Sequence, residues 1–163
     1  MSVNKYLPHV LVLPEDDANR QLANGFLLDP SLLTRKIQVL PAAGGWTQVL
    51  DRFVSDHIVE MGRYPDRYMV LLIDFDRDDG RLTKAKAKIP ERLTDRVFVL
   101  GTLSQPESLR HANLGSYEEI GSAMAKDCRE ETDSIWEHDL LRHNSGELAR
   151  LRERVWPILF RQI

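Results

Sequence analysis

The stretch "VLLIDFDRDDG", residues 70–80, decides how the chain is read. Four apolar residues run directly into Asp74-Phe75-Asp76, and Asp78-Asp79-Gly80 follow. The apolar run, extended back to Arg67, has the length and continuity of a strand buried on both faces, as in a parallel sheet. Carboxylates massed at the end of such a strand repel one another and are costly near a low-dielectric interior unless a cation or a proton relieves them. On a strand continued to residue 76, Asp74 and Asp76 share a face and Phe75 points the other way into packing.

Working outward, "HVLVL" (9–13) is a second buried strand, ended by Pro14 and followed by Glu15. Ala18, Leu22 and Phe26 then recur at helical spacing, with Asp16 or Asp17 as cap. "KIQVLPAA" (36–43) predicts a strand, and Gly44-Gly45 a tight turn. Trp46, Val49, Leu50, Phe53, Val54 and Ile58 trace an amphipathic helix. "LTKAKAKIPERLTD" (82–95) is polar and interrupted by Pro90, so it reads as an exposed helix or loop. "RVFVLGT" (96–102) is a further strand. Beyond Pro106 the pattern is helical: Tyr117, Ile120, Met124 and Cys128 form one stripe, and Leu148, Leu151, Val155 and Leu159 another, kinked at Pro157.

Strands alternating with helices imply βαβ units. The expectation is an α/β domain over 1–110, with a mostly parallel, Rossmann-like sheet of four or more strands and helices on both faces. Residues 111–163 are expected as a small helical C-terminal extension packed on the same domain. In such sheets functional groups gather at the carboxyl ends of the strands. Glu15, Gly44-Gly45, Asp74 with Asp76, and Ser104 to Glu107 all fall there.

Composition sets outer bounds. The 163 residues carry 42% hydrophobic and 29% charged side chains, ordinary for a water-soluble globular domain. The sequence has no apolar run of spanning length, so no membrane association is expected. A single cysteine, Cys128, excludes an internal disulfide and fits a reducing, cytoplasmic setting. The net charge of −3 offers no global basic field for nucleic acid, although an acidic metal site binds phosphates through its cation.

Glu15, Asp74 and Asp76 together form a set of hard oxygen donors suited to Mg²⁺ or Mn²⁺, which take one or two carboxylates and complete their shell with water and phosphate oxygens. A glutamate after the first strand, here in "LPEDDAN", followed by Asp-x-Asp closing a later hydrophobic strand, here in "LLIDFD", resembles the Toprim domain of topoisomerases, DnaG-type primases and OLD-family nucleases. "VLPAAGGW" and "VFVLGTLSQPESLR" are similar to later segments of its stand-alone and OLD-like members, and the resemblance spans about residues 8–110. It implies metal-dependent phosphodiester chemistry on DNA or RNA, as a nuclease or nuclease subunit. Glu15, Asp74 and Asp76 would be catalytic and metal-binding, Glu15 as ligand or general base, with Asp79 and Glu107 as further metal candidates. A protein partner or a homo-oligomer fits so small a member. Asp16 stands where the family usually has glycine.

The alternative is a non-catalytic module binding metal or a partner, Toprim-like or receiver-like. "HVLVLPEDDANRQLANGFL" resembles the opening of a response-regulator receiver domain, and Thr102 follows the fourth strand as in receivers. The Lys-Pro and fifth strand of receivers are not found. Bland roles also have weight. Asp78-Asp79-Gly80 is a turn signal, Asp16 and Asp17 are helix caps, and Lys84, Lys86 and Lys88 read as a solvated face. His138 and His143, five apart, lack a clean ligand spacing. Trp46 and Trp136 read as core, and Cys128 as an inert buried thiol.

Overall fold

A computed structural model describes residues 2–161. The fold is α/β, built on a four-stranded, all-parallel sheet in the order β2-β1-β3-β4: β1 is His9–Pro14, β2 Ile37–Val39, β3 Arg67–Leu72 and β4 Val97–Leu100. Side chains alternate between two covered faces, which is why the strands read as continuous apolar runs. Val10, Val12, Val70, Phe98 and Leu100 face one core. Leu11, Leu13, Met69, Leu71, Val97 and Val99 face the other.

Helices α1 (Asp17–Phe26), α6 (Tyr117–Glu130) and α7 (Ser145–Arg154) cover the first face, together with a last turn, α8 (Trp156–Leu159). The helix stripe ending at Leu159 breaks between α7 and α8, with Pro157 in the first turn of α8, where a missing N–H costs nothing. The C-terminal helices thus share a core with β1, β3 and β4. Helix α6 starts on a capping box, Ser116 with Glu119. It packs on α1 backbone to backbone. A Cβ at Gly25 would stand 2.2 Å from the Glu118 carbonyl oxygen, and one at Gly121 would stand 2.0 Å from that of Leu22.

The opposite face is covered by α2 (Trp46–Arg52), which runs through a π-helical turn (Phe53–His57) into α3 (Ile58–Arg63), and by α4 (Asp79–Ala87). Helix α5 (Pro106–His111) follows β4. The polar segment 82–95 is interrupted at Pro90 as expected, between the end of α4 and a 3₁₀ stretch, Glu91–Arg96. Two expectations are corrected. The second strand is three residues long, although the chain still runs beside β1: the Leu40 N–H donates to the Val12 carbonyl at 2.8 Å and the Ala43 N–H to that of Pro14 at 3.0 Å. The third strand stops at Leu72 rather than reaching 76. Among the described residues no helix is long and apolar enough to cross a membrane.

The chain leaves β1 for β2 on one side and returns across β1 to β3 on the other. The strand order therefore reverses between β1 and β3, and their carboxyl ends flank the crevice where doubly wound sheets bind ligands. Glu15 and Asp74 lie immediately beyond those two ends.

Candidate metal centre at the ends of β1 and β3

Glu15 is fixed by its backbone. Its N–H donates to the Leu72 carbonyl at 2.9 Å, extending the β1–β3 ladder, and its own carbonyl accepts from Gly44 N–H at 2.8 Å. Its carboxylate, in a residue only 9% exposed, accepts the Asp74 backbone N–H at 2.6 Å through Oε2. Asp16, the next residue, has extended backbone and caps α1: Oδ1 accepts the Asn19 N–H at 2.9 Å. The fully buried Asn19 amide then joins the segments. Its Nδ2 donates to Asp16 Oδ1 at 2.9 Å and to Asp74 Oδ1 at 2.8 Å.

Glu15, Asp16 and Asp74 each present an oxygen within 4.8 Å of the others. Three carboxylates at that separation, two of them nearly buried, carry a strong electrostatic cost. Burial is the main cause that lifts the Asp74 carboxyl to about 7. The Asn19 hydrogen bond opposes the rise, while the charges of Glu15, Asp16 and Glu107 add to it. Burial likewise raises Glu15, against the pull of the Asp74 N–H. A divalent cation is the natural relief: the set is all oxygen and hard, and its geometry leaves lone pairs free for an ion.

Asp76 does not join this set. With β3 ending at Leu72, the backbone bends at Asp76 (φ 49°) and Arg77 (φ 53°), both left-handed. The alternation that would have put Asp76 beside Asp74 ends before it applies. Asp76 is exposed, its carboxylate 3.4 Å from Arg81 Nη2. Phe75 does turn inward as expected, 5% exposed and edge-on to His143. Asp16, expected as a cap, is both a cap and a member of the cluster.

Of the other candidates, Asp79 is exposed in the first turn of α4, which Asp78 caps through Gly80 N–H. Glu107 is exposed in the first turn of α5, near enough to act on Asp74 by charge but outside the three-acid set. His138 Nδ1 accepts the Leu140 N–H, and His143 Nε2 is bonded to the Gly101 carbonyl just after β4, so neither joins the three acids. Trp136 and Cys128 are core, the thiol pushed up to about 12 by burial.

Asn19 and Arg81 escape a reading of the sequence. Asn19 is an unremarkable helix residue until Asp74 arrives beside it; the only local hint is its place three residues after a capping Asp. Arg81 donates to the Asp74 carbonyl at 2.9 Å and lies 4.9 Å from the centre of the Trp46 ring, with Lys84 at 5.8 Å. Trp46 is therefore half-buried beneath two cations rather than enclosed in the core. Lys86 is taken up by Glu147 at 2.8 Å, so the three lysines are not one free stripe.

The chain matches no family model, no curated protein and no solved structure.

Proposed function

We propose that this chain holds Mg²⁺ or Mn²⁺ at Glu15, Asp16 and Asp74 and hydrolyses phosphodiester bonds in nucleic acid. The observation that supports the reading is the convergence of three carboxylates at the strand reversal, where burial lifts the Asp74 carboxyl to about 7 and the neighbouring acids add to the rise. A cation bound there supplies Lewis-acid polarisation of a phosphoryl oxygen and a more acidic bound water. Asn19 holds Asp16 and Asp74 in a fixed relation through its two donated hydrogen bonds. Arg81, tied to the Asp74 carbonyl, and Lys84 offer positive charge to a phosphate at the edge of the site. The order of Glu15 and Asp74 along the chain is in keeping with the Toprim-like reading, in which Asp16 rather than Asp76 supplies the third carboxylate.

The test is incubation of the purified chain with Mn²⁺ and separate DNA and RNA substrates, single- and double-stranded. Metal-dependent cleavage, lost in Asp74→Asn and retained in Asp76→Asn, is the expected result. Absence of cleavage from every substrate, with metal binding intact, would overturn the hydrolytic part.

A second reading draws on one specific observation. An acidic pair after β1, an aspartate after β3 and Thr102 after β4 together suit a receiver-like module that binds metal and a partner without turnover. Phosphorylation of Asp74 by acetyl phosphate and Mg²⁺, detected by mass spectrometry, separates this reading from the first.

A further inference from the structure

Arg67 opens β3 at the amino end of the sheet, and the strand of six residues, about 20 Å, separates it from the three acids. It is 5% exposed, yet among the described residues it is paired with no carboxylate. A buried guanidinium without a counter-charge is uncommon, because burial strips water from the charge and nothing opposite replaces it. Glu60 acts on Arg67 only at longer range, its carboxylate taken up by Arg63 at 3.2 Å.

The guanidinium is held on two sides. Nε donates to His9 Nε2 at 2.9 Å, and His9 is itself fixed through Nδ1 on the Leu7 carbonyl at 2.7 Å. Its Cζ lies over the Tyr64 ring, 4.8 Å from the centre. What remains is the outer edge, Nη1 and Nη2, a fork whose spacing matches two oxygens of one oxyanion. Neither nitrogen has a hydrogen-bond partner among the described residues. Nor is either one sealed from water, as the unpartnered oxygens of Asn19 and Thr102 are. The stem of Arg67 is therefore enclosed, and its fork reaches solvent in a fixed orientation.

Two further cations stand beside it. Arg96, also without a carboxylate partner, donates to the Arg67 carbonyl at 3.0 Å and to the Tyr64 carbonyl at 3.1 Å. Lys5 Nζ is 5.5 Å from the centre of the same Tyr64 ring. Against these three stand Glu60, shared with Arg63, and the exposed Asp66, whose charge acts on His9.

We propose that Arg67 is the centre of a binding site for a phosphate group, held by Nη1 and Nη2, with Arg96 and Lys5 adding attraction from nearby. Three cations around one open fork suit a doubly charged group better than a single carboxylate. The site stands apart from the three-acid cluster and depends neither on its metal nor on the hydrolytic reading.

The experiment uses the full chain, freed of divalent metal on a chelating resin, in dilute chloride buffer. Inorganic phosphate, ribose 5-phosphate and acetate are titrated separately, each against sodium chloride of equal ionic strength. Melting temperature and backbone amide NMR shifts are followed. Phosphate is expected to raise the melting temperature saturably, by mass action on the native state. It should shift amides around His9, Tyr64 and Arg67, and bind about ten-fold more tightly than acetate, since it carries a second charge. Arg67→Lys keeps the charge but loses the fork, and should weaken binding about ten-fold. Arg67→Gln should abolish it; if that variant does not fold, the affinity of Arg67→Lys decides. Tighter binding of ribose 5-phosphate than of inorganic phosphate assigns the site to a phosphate carried on a larger molecule, and equal binding assigns it to the free ion. Absence of a saturable effect beyond that of chloride overturns the site. So does phosphate affinity unchanged in Arg67→Lys, or acetate binding as tightly as phosphate.

Discussion

Glu15 and Asp74, separated by 59 positions, are joined by one hydrogen bond: the Glu15 carboxylate accepts the backbone N–H of Asp74 at 2.6 Å. The bond fixes the two strand ends in register at the mouth of the crevice. It also brings a second carboxylate close to Asp74, whose own carboxyl is already lifted by burial.

Without metal, stability should fall as pH rises across the acidic range. Asp74 has a folded pKa of about 7 against an ordinary value of 3.8. Between those values the native state binds the proton more tightly than the unfolded chain, so its contribution is fully present below pH 3.8 and is lost as pH rises through about 7. The effect is about 2–4 kcal/mol at most. Asp74→Asn keeps an acceptor for Asn19 and removes the charge. Urea unfolding in EDTA should show the variant more stable than the natural chain at pH 8 and little different at pH 4.

Adding millimolar Mn²⁺ at pH 7.5 should raise the melting temperature, because an ion bound only to the folded state stabilises it by about 2.7 kcal/mol at one hundred times its Kd. For a chain of this size each kcal/mol is about 2–4 °C. Asp74→Asn and Glu15→Gln should remove the shift, and Asp16→Asn should weaken it. Asp76→Asn should leave it unchanged, since that carboxylate faces Arg81. Loss of the shift in Asp76→Asn, with Asp16→Asn normal, would reverse the assignment of the third ligand.

Asn19→Ala should be costly. It strips one hydrogen bond each from Asp16 and Asp74, the latter 7% exposed, and leaves the acids facing each other without a shared donor. A loss of about 2–3 kcal/mol is expected at neutral pH, smaller at pH 4.5 where Asp74 is protonated in the native state. Denaturant melts at the two pH values measure the difference.

Gly121→Ala tests the α1–α6 crossing. The added methyl would fall 2.0 Å from the Leu22 carbonyl oxygen, a backbone atom that cannot rotate away. The helices must separate, which destabilises by about 1–3 kcal/mol or more. The same exchange at Gly146, where a Cβ meets nothing within 4 Å, should be neutral or slightly stabilising.

His9 lies at the other end of the sheet, 1% exposed, and its Nε2 accepts from the Arg67 guanidinium at 2.9 Å while Nδ1 contacts the Leu7 carbonyl. Burial, with Arg67 adding its charge, holds His9 below its ordinary 6.5, against the Leu7 hydrogen bond and Asp66. The neutral ring is thus the native form. Its contribution is present above pH 6.5 and is lost as pH falls through the lowered value. In the Asp74→Asn background, where the opposing trend is absent, stability should decline below about pH 6.5. Replacing His9 by Gln should flatten that decline, read from melting temperature across pH 5–8.

The strands, their parallel arrangement and the helices over both faces were legible in the sequence, because burial on two sides demands unbroken apolar runs such as "HVLVL" and "MVLL". Glu15 and Asp74 were legible for a related reason: a carboxylate directly after such a run sits at the carboxyl edge of the sheet, wherever its neighbours lie. The place of Asp76 was not legible. Side-chain alternation predicts direction only while the chain stays extended, and the point where extension stops is set by hydrogen-bonded partners. Hydrogen bonds to the chain after β4 continue beyond the end of β3, where the Phe75 N–H donates to the Thr102 carbonyl at 3.0 Å, and the left-handed turn at residues 76–77 then carries Asp76 out to Arg81. Asp16 and Asn19 entered the cluster through α1, whose packing on α6 sets its angle to the sheet. Local spacing alone thus determined which segments end at the crevice, and contacts between distant segments decided which carboxylates face one another across it.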